Sequence, residues 1–432
     1  MNQLPKAFVD RMAAQLGDEL PAFLRTYEES YQRGIRLNPM KPVDTAYLPE
    51  GMLDAVPWEP TGHYLSQDSR AGAAILHEAG AWYLQEPSAM IPAAVLNAQP
   101  GERILDLCAA PGGKTTQNAL RMAGQGTIVC NEPIGDRARI LSRNVERMGI
   151  PNAIVISAWP EKLAAVWPEA FDAIQCDAPC SGEGMFRRHP ETREEWNAES
   201  PAGCAKRQSD ILDSAAIMLR PGGRLVYSTC TLNQIENEGV VEDFLRRHPD
   251  FSLAAFTLPG LDAPTGMLTI YPHRVKGEGH FVALLRRQGE GRAAWQTASP
   301  KNAPDKASVK VLQDFLPGQE ANLLFGNELR LCPDFPDLSR AKGVMVLRSG
   351  LHLGTVKGKV FIPDHAWAVS NAAPDVPRVH LSEEEARLYL NGQVVPAAGK
   401  GWVLACYAGV PLGWGKVSDG MMKNHYPKGL RR

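Results

Sequence analysis

The stretch Ile104-Leu-Asp-Leu-Cys-Ala-Ala-Pro-Gly-Gly-Lys114 decides how this chain is read. A short apolar run ends in a turn of small residues, and an amphipathic segment opens at Lys114. The pattern is a strand, a glycine-rich turn and a helix. Small residues let the backbone approach a ligand, and the N-terminus of the following helix favours negative groups. Outward from this stretch the same alternation repeats. Residues 103–107, 127–131, 153–156, 171–176, 224–228 and 280–285 read as short buried strands. Segments 114–122, 136–148, 205–219 and 236–247 carry apolar residues at helical spacing. Apolar strands alternating with helices predict an α/β fold, a mostly parallel sheet covered on both faces. In such sheets ligands sit at the carboxyl ends of the strands.

Three cofactor classes compete for the turn. A nucleotide-triphosphate loop needs a glycine where Cys108 stands, and the dinucleotide pattern Gly-x-Gly-x-x-Gly is absent. S-adenosylmethionine remains, with Glu132 at the end of the next strand, 20 residues beyond Gly112, placed to bond ribose hydroxyls. On spacing alone a strand–helix turn with no ligand stays open.

Two cysteines set the chemistry. Cys180 stands in Asp177-Ala-Pro-Cys-Ser-Gly182 and Cys230 in Ser228-Thr-Cys-Thr231, each where a strand ends. A cysteine is ordinarily a small core hydrophobe, and Cys130, Cys176, Cys204, Cys332 and Cys406 are read that way. Cys230 has polar neighbours, and Cys180 follows a proline in a turn, three residues past Asp177. Carbon 5 of a pyrimidine is too weak a nucleophile to attack a methylsulfonium unaided. A thiolate that adds to carbon 6 makes carbon 5 enamine-like, which splits one hard step into two. An acid must then bond the ring nitrogen as charge develops, and the carbon 5 proton must leave so that the cysteine is expelled.

The motifs Leu107-Cys-Ala-Ala-Pro-Gly-Gly-Lys-Thr115, Asp-Ala-Pro-Cys-Ser-Gly and Tyr227-Ser-Thr-Cys-Thr231 closely resemble the Nol/Nop/Sun family of RNA (cytosine-5)-methyltransferases. The resemblance runs from about residue 4 to 287. Arg36-Leu-Asn38, Gln85-Glu-Pro-Ser-Ala-Met90 and the ending with Gly413-Trp-Gly-Lys416 and Lys423-Asn-His-Tyr-Pro-Lys-Gly429 resemble its bacterial RsmF branch, which acts on small-subunit ribosomal RNA. The resemblance implies a Rossmann-like S-adenosylmethionine-dependent methyltransferase core with an α-rich N-terminal domain and a small, β-rich PUA-like C-terminal module. It implies that Cys230 is the nucleophile, that Cys180 helps release the product, and that Asp177 contacts the base near the cofactor. Cys108, Ala109, Ala110, Pro111, Gly112, Gly113 and Lys114 wrap S-adenosylmethionine; Lys114 belongs to the catalytic set as well. Glu132 binds the ribose with Arg137 beside it. One departure matters: residues 157–161 read Ser-Ala-Trp-Pro-Glu, with no Asp where the family meets adenine. Backbone groups or stacking on Trp159 are the alternatives. The late strand opens Gly279-His280-Phe281 where the family often has a second aromatic, read as a neutral exchange.

The expected domains are residues 1–75 (RNA-binding), 76–287 (catalytic), a linker at 288–310, a first C-terminal domain at 311–372 and the PUA-like RNA-binding module at 373–432. Residues 4–38 are expected to be helical, with Phe8, Met12, Leu16, Leu20, Phe23, Leu24 and Tyr27 at helical spacing; 47–64 read as loops, and 77–96 as helix interrupted by prolines. The linker is expected to separate two independent cores. Beyond it, 344–347, 360–362 and 402–407 read as strands. A net charge of −2 argues against a chain that is basic throughout, so RNA-binding surfaces must be local. Over residues 400–432 basic side chains interleave with Trp402, Tyr407, Trp414 and Tyr426, suited to phosphates and unpaired bases. Arg187, Arg188 and His189 are candidate backbone contacts near the target.

Eight cysteines without a Cys-x-x-Cys pair indicate free thiols in a reducing cytoplasm and no metal site. There is no apolar run of membrane length. A monomer acting on ribosomal RNA or its assembly intermediate is expected. Three other readings compete: a transfer-RNA cytosine methyltransferase, a DNA cytosine methyltransferase in which Cys180 attacks, and an assembly factor with an idle core. Two cysteine motifs count against the DNA reading, and the retention of Cys180, Cys230, Asp177 and Lys114 together counts against an idle site.

Overall fold

The computed structural model describes residues 4–295, 303–332, 334, 336–337 and 342–431. The N-terminal part begins with helices Lys6–Leu16 and Leu20–Arg25. Their apolar spacing has its expected consequence: Phe8, Met12, Leu16 and Phe23 are buried against Phe186, Trp196, Leu232 and Tyr271 of the catalytic part. The helical expectation fails beyond that point. Strands β1 (Arg33–Leu37), β2 (Met52–Ala55), β3 (Gly62–Leu65) and β4 (Trp82–Leu84) form an antiparallel sheet in the order β2-β3-β1-β4. β1 lies in the stretch expected as helix, β2 and β3 in the stretch expected as loops. β4 cuts the helix expected at 77–96 down to Ile75–Glu78 and Ile91–Leu96. Strands of three to five residues are too short to show a period of two against Gly and Pro punctuation.

The catalytic part has parallel strands β5 (Arg103–Asp106), β6 (Thr127–Asn131), β7 (Ala153–Ser157), β8 (Phe171–Asp177) and β9 (Leu219–Thr229). Then come β10 (Phe251–Leu253), a hairpin of β11 (Phe256–Leu258) and β12 (Leu261–Ala263), β13 (Met267–Ile270) and β14 (His280–Arg287). β14 runs antiparallel to β9. Every helix expected here is present, as Gly113–Arg121, Gly135–Arg147, Ser200–Met218 and Glu238–Arg247. One core lies on each face of the sheet, as two-sided cover requires.

The first C-terminal part contributes β15 (Leu323–Phe325), β16 (Glu328–Leu331), β17 (Met345–Ser349), β18 (Leu351–Lys357) and β19 (Val360–Pro363). Four of these make a sheet of their own in the order β15-β16-β18-β19. β17 does not join it. It pairs antiparallel with β7, Met345 opposite Ser157 and Ser349 opposite Ile154, and ends the central sheet: β10-β14-β9-β8-β5-β6-β7-β17. Leu323 and Cys332 are buried in the same core as Phe171 and Ile174. Trp295 packs edge-to-face against Phe171 with ring centres 5.6 Å apart, under the Arg103 guanidinium. The expectation of two independent cores joined by a free linker is therefore wrong. An uncovered β7 would present a row of unpaired N–H and C=O groups, and β17 satisfies them. The part of the linker at 296–302 lies outside the described residues.

The last part holds β20 (Arg378–His380), β21 (Val395–Pro396), β22 (Gly401–Tyr407), β23 (Val410–Ser418) and β24 (Met421–Asn424), ordered β20-β22-β23-β24-β21. It is not a separate lobe. Leu381, Tyr389, Val403 and Met422 share one core with Ile35, Leu65 and Trp82 of the N-terminal sheet. No helix among the described residues is long and apolar enough to cross a membrane.

Candidate active site

All three sequence motifs sit at carboxyl ends of central strands. After β5 the chain turns through Gly112, whose φ of +111° suits glycine, into the helix Gly113–Arg121. The turn is held from several sides. Ala109 N–H donates to Asn131 O at 2.9 Å, and Asn144 donates to Pro111 O at 2.8 Å. Arg36, fully buried on β1, donates to Gly113 O at 3.0 Å, to Thr116 Oγ1 at 2.7 Å and to Gln85 Oε1 at 3.1 Å. Two of the short N-terminal motifs thus act as a clamp on the turn. Asp106 is buried below it, and burial pushes its carboxyl up to about 7 against the Thr115 hydroxyl it accepts.

A cavity of about 920 Å³ opens on this turn. Cys108, Ala110, Glu132, Arg137 and Trp159 line it together with Asp177, Cys180 and Cys230. Glu132 is 2% exposed at the end of β6. Its carboxylate accepts from Ile134 N–H at 3.0 Å and meets Arg137 at 3.3 Å. Trp159, 52% exposed, lines the cavity where the sequence lacks the family's Asp. Helix Ser200–Met218 adds Arg207, Asp210 and Ser214 to the lining, which the sequence reading missed. Of the cofactor residues read from sequence, Cys108, Ala110, Glu132, Arg137 and Asp177 line the cavity. Ala109 and Gly112 are buried behind it, Pro111 points to solvent, and Gly113 and Lys114 begin the helix. The chemistry fits S-adenosylmethionine: a buried carboxylate for hydroxyls, an exposed aromatic for a purine, and small side chains at Cys108 and Ala110 that let the ligand approach the backbone. Cys108 itself is a poor nucleophile, because the Cys176 thiol and burial push it well above the ordinary thiol range.

Lys114 Nζ lies 2.7 Å from Asp177 Oδ2, and the Ser228 hydroxyl donates to Asp177 Oδ1 at 2.7 Å. Burial alone would push Asp177 up. The Lys114 ammonium and the His280 ring together outweigh it, and the group stays well below the usual carboxylate range. Cys180 Sγ and Cys230 Sγ are 3.3 Å apart, and both thiols are free. The Cys230 sulfur and burial push Cys180 well above the ordinary thiol range.

Beneath the thiols lies a polar cluster absent from the sequence reading. The Glu236 carboxylate, fully buried, accepts from Ser181 N–H at 3.0 Å, Gln208 at 2.8 Å, Asn233 at 2.7 Å and the Ser181 hydroxyl. Gln208 also holds Pro179 O at 3.0 Å. An acid opening a helix six residues after Cys230 was its only trace in the sequence.

Two expectations about RNA contacts need correction. Arg187 is buried, donating to Glu278 at 2.8 Å and to Thr26 O at 3.0 Å, and it ties the N-terminal helices to the catalytic part. Arg188 lies exposed over the Tyr31 ring and half-exposed His189 meets Glu191 at 3.0 Å, so of these three the correction falls on Arg187 alone. Trp414 and Tyr426 are core residues, 1% and 5% exposed, and Trp402 packs on Trp414 and His425. A small β-sheet needs such rings for its own core.

Four family models cover nearly the whole chain. The model of the 16S rRNA methyltransferase RsmB/F matches residues 93–286, and that of the N-terminal domain of 16S rRNA methyltransferase RsmF matches 4–87. The RsmF rRNA methyltransferase first C-terminal domain matches 308–370 and the methyltransferase RsmF PUA domain 376–432. Ribosomal RNA small subunit methyltransferase F of Cronobacter sakazakii is 34% identical over 99% of this chain and 96% of its own. That of Klebsiella pneumoniae is also 34% identical, with the same coverage. The chain belongs to the RsmF branch of the RsmB/F 16S rRNA methyltransferases. Among solved structures, a methyltransferase homolog protein from Pyrococcus horikoshii is 28% identical with a TM-score of 0.56, covering 66% of this chain and 95% of that one. NSun6 from the same organism, solved with SFG, shares the fold at 22% identity and a TM-score of 0.58, covering 67% and 100%. The RsmF assignment makes 16S ribosomal RNA the partner and S-adenosylmethionine the methyl donor.

Proposed function

We propose that the enzyme methylates carbon 5 of a cytosine in 16S ribosomal RNA through a covalent bond from Cys230 Sγ to carbon 6. The observation that carries this reading is the pair of sulfurs 3.3 Å apart in a cavity shared with Asp177, Glu132 and Trp159. S-adenosylmethionine, bound between Glu132 and Cys108, supplies an electrophilic methyl group. Cys230 as thiolate adds to carbon 6 and raises electron density at carbon 5. The Asp177 carboxylate, kept ionised by Lys114, accepts the 4-amino group of the base. After methylation the carbon 5 proton passes to solvent, its bonding pair re-forms the carbon 5–carbon 6 double bond, and the Cys230 sulfur departs as a thiolate. Cys180, 3.3 Å from Cys230 Sγ and held protonated by its surroundings, is placed to give the departing sulfur a hydrogen bond. The second thiol, in Ser228-Thr-Cys-Thr231, is what favours the RNA reading over the DNA reading, in which Cys180 would attack. Exposed Lys400, Lys416, Lys423 and Lys428 hold RNA phosphates, by charge rather than by stacking on the buried rings.

The test is a pair of variants acting on small subunits from a strain lacking the gene. Cys230→Ala abolishes 5-methylcytosine, read by bisulfite mapping, while S-adenosylmethionine binding persists. Cys180→Ala accumulates a protein–RNA adduct that resists denaturing gels and disappears in the double variant. Turnover by Cys230→Ala within tenfold of wild type, or an adduct in the double variant, rules the assignment out.

A further inference from the structure

His280 is a buried polar group beside Asp177 that the proposed reaction leaves unused. β14 pairs with β9 so that Phe281 faces Thr229 and Val282 faces Ser228. Side chains alternate along a strand, so His280 shares a face with Val282 and Ser228. The parallel pairing of Asp177 with Ser228 brings the carboxylate to the same face. His280 is 4% exposed, and neither ring nitrogen has a hydrogen-bond partner among the described residues. Its Nε2 stands 3.7 Å from Asp177 Oδ1, beyond hydrogen-bond reach. A buried imidazole without a hydrogen-bond partner costs free energy that a native protein normally recovers elsewhere. A closure of less than about 1 Å brings Nε2–H onto Oδ1, and contacts of this kind are often long until substrate binds.

We propose that His280 is a positioning residue for Asp177 that serves base selection: it closes onto Oδ1 when the target base enters. Lys114, Ser228 and His280 then occupy the inner lone pairs of the carboxylate. What remains toward the base is an acceptor in a fixed direction. It takes the 4-amino group of cytosine and opposes the 4-carbonyl of uracil, which offers no proton there. The inference rests on the cytosine reading above and adds a determinant of it.

The full-length chain tests this with His280→Gln, which keeps an N–H near the Nε2 position, and His280→Phe, which keeps the ring shape without a donor. The substrates are small subunits from the strain lacking the gene and transcripts in which the mapped target cytosine is replaced by uracil. Wild type and His280→Gln are expected to turn over within about threefold of each other. In His280→Phe kcat falls about ten- to a hundredfold, the scale of one hydrogen bond to a charged group, while KM for S-adenosylmethionine and for the subunit stays put. Covalent capture of cytosine over uracil transcripts narrows with it. Should His280→Phe fail to fold, His280→Asn, too short to reach Oδ1, takes its place. Wild-type kcat in His280→Phe overturns the proposal. So does loss in His280→Gln equal to that in His280→Phe at unchanged melting temperature and cofactor affinity. Absence of 5-methylcytosine with wild type itself would instead remove the cytosine reading.

Discussion

Cys180 reaches its position through Glu236. The carboxylate gathers donors from Ser181, Gln208 and Asn233, so the turn that carries the thiol cannot drift from Cys230. Glu236→Gln turns one acceptor into an amide donor that faces these donors. Hydrogen bonds to a charged group contribute about 1.5–3 kcal/mol each, so product release should slow tenfold or more. Some covalent adduct should persist with native enzyme sequence elsewhere, and S-adenosylmethionine affinity should be unchanged. An adduct-free variant with wild-type turnover would show that the cluster does not position the thiol. At this scale the sequence spoke clearly about Cys180, Cys230, Asp177, Lys114 and Glu132. Each stands in a local motif at a strand end. Glu236 and His280 have no such motif. Their significance comes from neighbours 28 to 103 positions away in the chain, Gln208 for one and Asp177 for the other.

Strand β17 illustrates what an element can hide. Residues 344–347 read as a strand of a separate module, but its partner is β7, some 190 positions earlier. Nothing in a four-residue apolar run names its partner, because the β-period specifies a face and not a neighbour. Truncation after Arg287 would uncover the β7 edge and strip Trp295, Leu323 and Cys332 from the core. The shortened chain is expected in the insoluble fraction. If any stays soluble, its melting temperature should lie about 10 °C or more below that of the full chain, a loss of a few kcal/mol. A soluble product with the full chain's melting temperature and cofactor affinity would mean that β17 is dispensable cover. The N-terminal strands were missed for a related reason. β2 and β3 are four residues each, and pairing with each other, and of β3 with β1, makes them strands.

At the scale of the molecule, three parts meet around residues 147–149. Asn38 of the N-terminal part donates to Met148 O at 3.0 Å, and Asn371 of the C-terminal part donates through its N–H to Gly149 O at 2.8 Å. Lys41, 6% exposed, donates to Arg147 O at 2.9 Å and to Ala79 O at 2.8 Å. Burial, with the charge of Arg147 beside it, pushes the Lys41 amine down to about 7 from an ordinary value of 10.5. Between those two values the unfolded chain binds more protons than the folded one, so stability rises with pH across the window. Below about 7 both states are protonated and the cost of the buried charge is complete. Relative to Lys41→Met, the wild type should therefore gain on the order of 1 kcal/mol per pH unit from about pH 7.5 to 9. Parallel stability curves for the two proteins in urea titrations over that range would contradict a depressed amine at this junction.

What the sequence determined by itself is the part written in local chemistry. The β5 turn, the two cysteine turns and the order of strands and helices through the catalytic part all depend on residues within about ten positions of one another. A glycine-rich turn after an apolar run, or a thiol at a strand end, requires no distant partner to be recognised. Only the tertiary structure decided which residues stand behind these motifs and how the parts adhere. Arg36 on the cofactor turn, Arg187 on Glu278, β17 on β7 and the shared core of the first and last parts are contacts between segments far apart in the chain. Burial settles whether a tryptophan such as Trp414 stacks on RNA or fills a core, and burial is a property of the folded whole, to which every segment contributes at once.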